Sequence, residues 1–312
     1  MSDVDGRRRH YGEFYGLPDA GDPDDDRPLW LVHGNCQAEA LRVLLSGARD
    51  AAYRTVRVPP VHELQRSDLG QLAALVGRAA MLLSQPIRDD YRDLPVGTAQ
   101  VAALLPAGAQ VLRWPVVRYA GLHPYQVIVR HPTDRSADPP VVPYHDLRTI
   151  AAALADGPVG PFGAHAPAPS VYRELAASSV AELTRREVAQ ADVVVSDLLA
   201  AAGAEAAHTI NHPGNIVLGG LAARVQAAAG VSVDVGDPGR DLLGGIRAPV
   251  DADVLDALGL TAPARRNWLV HGAEVEPQHV HQVQAACYRA DPDWLVAAVA
   301  RHGGRMDRLG LS

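Results

Sequence analysis

The residues best suited to chemistry lie in one short stretch, from Leu29 to Leu41. Its large apolar residues are typical of a buried strand, a Gly-Asn pair interrupts them, and helix-forming residues follow. Cys36 therefore lies at a predicted strand-to-helix turn. The unpaired N–H groups at a helix start favour a thiolate over a thiol, so we expect this position to lower the thiol pKa. The pattern indicates a nucleophilic cysteine.

A lone cysteine is also commonly a small buried hydrophobic residue, and that alternative stays open. The neighbours of Cys36 favour catalysis. Gly34 leaves the backbone uncrowded, and Asn35 and Gln37 supply amide donors that a structural cysteine does not need. These amides and the helix N–H groups are candidates to hold an oxyanion.

The motif His33-Gly34-Asn35-Cys36-Gln37 resembles the opening motif of the WcbI family of polysaccharide-biosynthesis proteins, acetyltransferase-like proteins that bind coenzyme A. Further blocks fit the family in the same order. Together they span residues 29 to about 218. These blocks are Ser84-Gln85-Pro86-Ile87, His123-Pro124, His131-Pro132 and Asn211-His212-Pro213-Gly214-Asn215.

The resemblance implies a site similar in layout to that of SGNH hydrolases, with a thiol in place of the serine of the first block. It implies Cys36 as the nucleophile and His212, in the late His-Pro pair, as the base. The SGNH pattern has an aspartate three residues before this histidine, where the present chain has Thr209. A Cys-His dyad works without a carboxylate. This departure therefore weakens the prediction of a catalytic triad more than the prediction of a nucleophilic cysteine.

The residues around His212 favour the same role. Asn211 to Asn215 form a polar turn that interrupts helical sequence, and such a turn suits a base that must reach another loop. A structural helix cap is the alternative. Asn211 is a candidate to orient the imidazole, as amides do in some Cys-His enzymes.

Gln85 follows another apolar run, at the predicted end of a strand. Ligands of parallel sheets bind at the carboxyl ends of the strands, where Cys36 also falls, so we expect the two stretches to meet. Gln85, or the backbone N–H beside it, is a candidate second oxyanion donor. The alternative is a polar turn residue.

Three residues are candidates to bind coenzyme A. Arg88 lies just after the Gln85 turn, in a predicted short helix, where a guanidinium would suit a phosphate; a surface ion pair with a neighbouring aspartate is the alternative. His123 and His131 each precede a proline at the end of a loop-like segment, and loops commonly carry sites. Either histidine is alternatively a surface residue in a Pro-rich connection.

Composition narrows the class of protein. The 312 residues carry a net charge of −7, which argues against a general nucleic-acid binder. The chain has no lysine, so a ligand phosphate must meet arginine, histidine, a hydroxyl or the backbone. The N-terminus lacks the apolar region of a signal peptide, and no run approaches the roughly 20 apolar residues of a membrane span. We therefore expect a cytoplasmic protein with reduced thiols.

Strand and helix patterns alternate from residue 29, which predicts an α/β fold with a parallel sheet flanked by helices. The resemblance implies an SGNH-like version of that fold. We expect one catalytic domain over residues 29–312, with the motifs in 29–218 and a helical C-terminal part in 219–312. Residues 1–28 carry segregated charges and predict a flexible tail, although its aromatic patch, Tyr11 to Tyr15, has an equal expectation of docking on the domain.

The preferred function is transfer of an acetyl or other acyl group from acyl-CoA to a hydroxyl or amine acceptor, either a small molecule or a sugar. A cysteine hydrolase of esters, amides or thioesters is the first alternative. A noncatalytic module that binds coenzyme A or a sugar is the second. A metal site at His279 and His281, two residues apart on a predicted strand, is the weakest alternative, and we expect no metal.

Overall fold

The computed structural model describes residues 3–18, 20–22, 24–48, 50–134, 136–160, 162 and 166–311. The chain divides into two compact units. The first contains residues 1–117, 182–198 and 215–243, and the second contains residues 118–181, 199–214 and 244–312. The chain returns twice from the second unit to the first, and no local pattern in the sequence indicates these returns.

Helices and short strands alternate along the chain. The helices are α1 (Asp3–His10), α2 (Cys36–Ser46), α3 (Leu69–Val76), α4 (Thr98–Ala102), α5 (Leu147–Leu154), α6 (Pro169–Gln190), α7 (Leu198–Ala202), α8 (Asn215–Ala228), α9 (Ala252–Leu258), α10 (Pro277–Ala290) and α11 (Asp293–Arg308). The strands are β1 (Leu29–His33), β2 (Arg54–Thr55), β3 (Met81–Ser84), β4 (Gln110–Arg113), β5 (Gln126–Val127), β6 (His145–Asp146), β7 (Ala207–Thr209), β8 (His212–Pro213), β9 (Ile246–Arg247), β10 (Trp268–Val270) and β11 (Ala273–Val275). Single 3₁₀ turns cover Arg66–Asp68 and Gly203–Glu205.

The first unit is built on a parallel sheet with the strand order β2-β1-β3-β4. Every residue of β1 and β3 is buried, as expected for parallel strands covered on both faces. His33, Ser84 and Arg113 pair in register, so three strands end at the same edge of the sheet. Helix α2 packs against β1 and α8. The predicted α/β class, with a parallel sheet flanked by helices, is confirmed.

The N-terminal segment differs from the predicted flexible tail. Residues 3–10 form α1, and the Arg7 guanidinium donates to the Asp68 carboxylate at 2.9 Å. Tyr11 and Phe14 are buried in the core of the first unit. Burial of two aromatic rings removes enough apolar surface from water to order a segment whose charges alone would leave it solvated. Met1, Ser2, Asp19 and Pro23, which the tail prediction included, lie outside the described residues.

The second unit is mainly helical, with small antiparallel sheets. Helix α5 packs against α10 and α11, and the strands β9, β10 and β11 form a three-stranded sheet in the order β11-β10-β9. The pairs β5-β6 and β7-β8 form two-stranded antiparallel sheets. The helical C-terminal part is confirmed. None of the helices in the described ranges combines the length and apolar character that crossing a bilayer requires.

Candidate active site

Cys36 is the first residue of α2, and two residues, Gly34 and Asn35, separate it from the end of the buried strand β1. Asn35 is the N-cap. Its extended backbone (φ −80°, ψ −161°) turns the chain, and its Oδ1 accepts a hydrogen bond of 2.9 Å from the Gln37 N–H. An asparagine at this position satisfies one of the helix N–H groups that have no partner within the helix. The predicted strand-to-helix turn is therefore formed by a capping asparagine.

Gly34 allows the close approach of another loop. A Cβ on Gly34 would lie 2.6 Å from Gln85 Oε1, which is closer than any real side chain comes. That same oxygen accepts a hydrogen bond of 2.9 Å from the Asn35 N–H, and the Gly34 carbonyl accepts one of 2.7 Å from the Val61 N–H. The stretches that follow β1 and β3 therefore meet, as the parallel sheet predicts.

Two buried glutamine side chains hold the Cys36 turn in place. Gln37 and Gln85 are 0% and 1% exposed, and Gln85 Nε2 donates to Gln37 Oε1 at 3.2 Å. The Val117 N–H donates to the same Gln37 oxygen at 3.0 Å, and Gln37 Nε2 donates to the Val117 carbonyl at 2.8 Å. Because these amide atoms are engaged by the protein, the two side chains position the turn. An oxyanion at this turn would meet the backbone N–H groups instead.

The Cys36 thiol has a raised pKa, contrary to the sequence prediction. Burial raises the pKa from 9.0 to about 11, although the N–H groups of Cys36 and Gln37 lower it, and the Glu63 carboxylate raises it further. The predicted effect of the helix start is thus present but is outweighed by the loss of solvation. The thiol is protonated at neutral pH, so a nucleophilic role requires a group that removes its proton.

Sequence reasoning missed Glu63. The Val61–Gly34 hydrogen bond brings this segment beside the turn, and the Glu63 carboxylate also accepts a hydrogen bond of 3.2 Å from the Tyr11 hydroxyl. The signal that was available is the Pro-Pro pair just before Val61, because prolines disfavour a regular helix or a central strand there and indicate a loop.

His212 lies in a tight hairpin of the second unit. Strands β7 and β8 pair Thr209 with His212, so the chain reverses over Ile210 and Asn211. The Tyr144 ring lies edge-on to the imidazole, with the ring centres 6.2 Å apart. His212 is partly exposed, whereas Thr209 is fully buried. The polar turn predicted from the sequence is therefore a two-stranded hairpin in which His212 is half-buried and its Nδ1 is buried.

A cluster of two hydroxyls and one amide fixes this hairpin. The Tyr144 hydroxyl donates to Asn211 Oδ1 at 2.9 Å, and the Thr209 hydroxyl lies 2.9 Å from the Tyr144 hydroxyl and 3.2 Å from Asn211 Oδ1. Thr209 thus contributes a neutral hydroxyl to the cluster. Sequence reasoning missed Tyr144 because it lies far from His212 along the chain.

Comparison with known proteins identifies the family. A profile described as "Polysaccharide biosynthesis enzyme WcbI" matches residues 29–234, which is more than half of the chain. The chain belongs to the WcbI family. The resemblance of the Cys36 motif is therefore confirmed, and the protein is a member of a family of polysaccharide biosynthesis enzymes. No curated protein matches the chain.

One solved structure shares the fold of this WcbI-family chain. It is described as WcbI, a novel polysaccharide biosynthesis enzyme, in a native form without a disulfide bond between coenzyme A and one of that protein's cysteines. The TM-score is 0.76 at 19% sequence identity, and the match covers 92% of this chain and 99% of that one. At this identity the likeness shows the fold.

In this WcbI-family chain, Arg88 is exposed and does not lie on a helix. The predicted short helix is absent because Asp90, Arg92 and Asp93 have φ values of 51°, 55° and 62°, which a right-handed helix does not allow. Arg92 donates to the His62 carbonyl at 2.8 Å. Arg88 makes no hydrogen bond or ion pair with any residue that the structure describes, so its guanidinium is available to a ligand.

The two His-Pro histidines of the WcbI-family chain lie in different environments of the second unit. His123 is 4% exposed, with ring nitrogens 3.2 Å from the Pro249 carbonyl and 3.4 Å from the Ala207 carbonyl, and burial lowers its pKa to about 4. His131 Nε2 lies 3.0 Å from Asp291 Oδ2, and its Nδ1 accepts a hydrogen bond from the Asp134 N–H. Both rings are engaged by the protein rather than exposed as surface residues.

The hypothesis of a metal site at His279 and His281 assumed that these residues lie on a strand, and that strand does not form. His279 and His281 lie on α10, and His281 Nδ1 is 2.7 Å from the Thr149 hydroxyl. Within the described ranges, the His, Cys, Asp and Glu side chains close enough to share an ion are those of His131, Asp291 and Asp293. The ring of His131 is already engaged at both nitrogens, so this group carries no argument for a metal.

Proposed function

We propose that this WcbI-family enzyme transfers an acyl group from an acyl-CoA to a hydroxyl or amine acceptor, with Cys36 as the nucleophile. The observation that carries the proposal is the position of Cys36 at the first residue of α2, where two backbone N–H groups act on its sulfur. The structural relative supports coenzyme A as the ligand, because it is described as the native form without a disulfide bond between coenzyme A and a cysteine of that protein, which relates coenzyme A to a cysteine there. Family membership makes a sugar the preferred acceptor.

The raised pKa of the Cys36 thiol makes a general base necessary, and we assign that role to His212. Cys36 belongs to the first unit and His212 to the second. We propose their pairing because the thiol needs a base. His212 takes the thiol proton, the sulfur attacks the thioester carbonyl, and the bond to the coenzyme A sulfur breaks. The coenzyme A thiolate leaves with the proton from the imidazolium.

The second half-reaction regenerates the thiol. The acceptor hydroxyl or amine loses its proton to His212 and attacks the acyl carbonyl, and the bond between that carbonyl and Cys36 breaks. The Cys36 sulfur leaves as a thiolate and regains its proton from His212. Backbone N–H groups at the start of α2 stabilise the negative oxygen in both steps, and Asn35, Gln37 and Gln85 hold those groups in place.

Coenzyme A carries phosphates, which this lysine-free chain must bind without an ammonium group. Arg88 is the strongest of the three predicted cofactor residues, because its exposed guanidinium has no protein carboxylate to neutralise it in the described residues. His123 and His131 stay as proposals of lower weight. Their ring nitrogens face protein carbonyls, a carboxylate and a backbone N–H, which leaves less for a phosphate.

One observation favours a second candidate, a noncatalytic module that binds coenzyme A. A thiol with a pKa of about 11 is a poor nucleophile at neutral pH unless a base assists it. A cysteine hydrolase shares the first half-reaction with the transferase and differs only in using water as the acceptor. The three candidates therefore differ in two measurable properties, which are thioester cleavage and its dependence on an acceptor.

The test measures coenzyme A binding by calorimetry and release of free coenzyme A from acetyl-CoA, with and without methyl glycosides, alcohols and amines. Wild type, Cys36→Ala and Cys287→Ala are compared. Cys287 is a matched control because it is the second cysteine, lies within α10, and also has a pKa raised by burial and by Asp291. We expect acceptor-dependent release that Cys36→Ala abolishes and Cys287→Ala retains.

The other outcomes select between the candidates. Release that needs no acceptor and still requires Cys36 identifies the hydrolase. Binding of coenzyme A without thioester cleavage, unchanged in Cys36→Ala, identifies the noncatalytic module. Absence of both binding and cleavage contradicts the acyl-CoA proposal altogether.

A further inference from the structure

The second unit contains a cavity of about 230 Å³. Its walls come from the start of α5, the start of α10, the first residue of β10 and the segment that precedes α9. Sites for drug-sized ligands typically have volumes of about 300–1,000 Å³, so this cavity suits one small ring and is too small for a whole nucleotide. The aromatic rings of Tyr125 and Trp268 line it together with charged side chains.

Arg148 is held rigidly at this cavity. Its guanidinium makes two hydrogen bonds to the Asp146 carboxylate, at 3.0 and 2.7 Å, and another of 3.3 Å to Asp251 Oδ2. The guanidinium carbon lies 4.1 Å from the centre of the Tyr125 ring. Burial alone would raise the pKa of Asp146, but the Arg148 guanidinium holds it below its usual value. This carboxylate is therefore charged and the cluster is preorganised.

The charges that line the cavity balance. Two carboxylates, Asp146 and Asp251, face two guanidiniums, Arg148 and Arg266. The lining histidines His123 and His281 are neutral at physiological pH, because burial lowers the pKa of both. A phosphate or carboxylate ligand would find no uncompensated positive charge here, whereas a neutral polar ligand would face both donors and acceptors.

Several polar atoms of the lining are open to such a ligand. Asp251 uses Oδ2 toward Arg148, and its Oδ1 has no hydrogen-bond partner among the described residues. His281 uses Nδ1 toward Thr149, and its Nε2 has no partner in the same ranges. Gln126, which is 6% exposed, lines the same cavity with a buried Nε2 that no described residue satisfies. Unsatisfied polar atoms are costly, and hydroxyl groups match both the acceptor and the donors.

We propose that this cavity binds one neutral pyranose ring of a sugar substrate, with the ring's apolar face against Trp268 and its hydroxyls on Asp251 and His281. A pyranose ring has an apolar face and several hydroxyl groups, and it fits a volume of this size. Its apolar face matches the Trp268 ring, and its hydroxyls match the carboxylate and imidazole beside that ring. The inference rests on the proposed function for the class of ligand. It adds the residues that recognise that ligand.

The test is saturation-transfer NMR of a panel of neutral methyl glycosides with the full-length protein. It is carried out on the Cys36→Ala background and without coenzyme A, so that its result does not depend on acyl chemistry. The variants are Asp251→Asn and His281→Gln, and Asp253→Asn is the matched control, an exposed carboxylate on α9 outside the cavity lining. Asp251 is partly exposed, so its variant keeps the proposal testable if His281→Gln fails to fold.

We expect at least one methyl glycoside to receive saturation, with affinity lowered about tenfold in Asp251→Asn and unchanged in Asp253→Asn. Inorganic phosphate and a sugar nucleotide are the comparison probes. Binding of phosphate without any glycoside, binding of the sugar nucleotide through its nucleotide alone, or no binding at all overturns the proposal. Sugar binding in this test, combined with a wild-type protein that fails to cleave acetyl-CoA, would overturn the proposed transferase and leave the cavity assignment intact.

Discussion

The Cys36 turn and the His212 hairpin are both sharp turns that begin at the end of a short strand, but different contacts hold them. The Cys36 turn is tied through Gln37 and Gln85 to backbone groups at the carboxyl edge of the parallel sheet. The His212 hairpin is tied to one aromatic side chain, Tyr144, through hydroxyls. The sheet therefore fixes the position of the candidate nucleophile, and a side-chain cluster fixes the position of the candidate base.

This difference has consequences for mutation. A substitution of Gln37 or Gln85 leaves buried backbone groups without partners, so it should lower the stability of the fold more than the rate of the reaction. A change around His212 removes a hydroxyl contact while the hairpin keeps its backbone pairing, so it should affect rate more than stability. The following predictions test this contrast, from the largest expected effect to the smallest.

Substitution His212→Gln should lower the rate of acyl transfer about 10²- to 10⁴-fold, which is the usual contribution of a general base. Coenzyme A affinity should change little, because the base acts on the thiol proton. Rates come from free coenzyme A release and affinity from calorimetry. His279→Gln, an exchange of the same kind on α10, is the control and should keep the wild-type rate. Equal rates for wild type and His212→Gln would remove His212 from the mechanism.

Substitution Gln85→Ala should lower the free energy of unfolding by about 2–4 kcal/mol, because it removes the acceptor of the Asn35 N–H and one of the two donors to Gln37 Oε1, and empties a buried site. Urea denaturation measures the change. Gln71→Ala, on the exposed surface of α3, is the control and should stay within about 0.5 kcal/mol of wild type. A loss for Gln85→Ala no larger than that of the control would show that the sheet does not hold the Cys36 turn.

The raised pKa of Cys36 should make stability fall in alkaline solution. Below pH 9.0 the thiol is protonated in both states, and between 9.0 and about 11 it ionises in the unfolded chain but not in the folded one. Stability must therefore fall across that interval, by about 3 kcal/mol at most, and level off above it. The difference in unfolding free energy between wild type and Cys36→Ala, followed from pH 8 upward, isolates this effect from Tyr11, whose pKa burial raises to about 12. A pH-independent difference would contradict the buried, protonated thiol.

Substitution Tyr144→Phe should cost about 1 kcal/mol of stability and lower the transfer rate severalfold. The variant keeps the ring beside His212 and loses the hydroxyl that binds Thr209 and Asn211. Tyr172→Phe loses a buried hydroxyl contact to Tyr125 instead, and it should cost similar stability without a change in rate. If both variants transfer equally well, the hydroxyl cluster does not position the base.

The sequence predicted those features that local composition determines. The turn at Cys36 follows from an apolar run, a Gly-Asn pair and helix formers. The predicted lowering of the Cys36 pKa was wrong, because burial raises this pKa, and burial depends on residues from other parts of the chain. Tyr144 and the cavity at Arg148 were missed for the same reason, since their contacts join distant segments.

The N-terminal segment shows the limit of charge patterns. Its arginines and aspartates are typical of a solvated tail, yet Tyr11 and Phe14 bury two rings in the core of the first unit. Arg7 then pairs with Asp68, a residue that is 2% exposed, so a charge that suggested mobility contributes to docking. Apolar burial outweighs the loss of chain entropy here, and only the partner surface could reveal that.

The most direct test of the central claim is the intact mass of the protein, rapidly quenched after mixing with acetyl-CoA in the absence of an acceptor. Wild type, Cys36→Ala and Cys287→Ala are measured side by side. The account predicts one acetyl adduct on wild type and on Cys287→Ala, and none on Cys36→Ala. An adduct that survives in Cys36→Ala, or no adduct on a wild-type protein that still cleaves acetyl-CoA, would contradict covalent acyl transfer at Cys36.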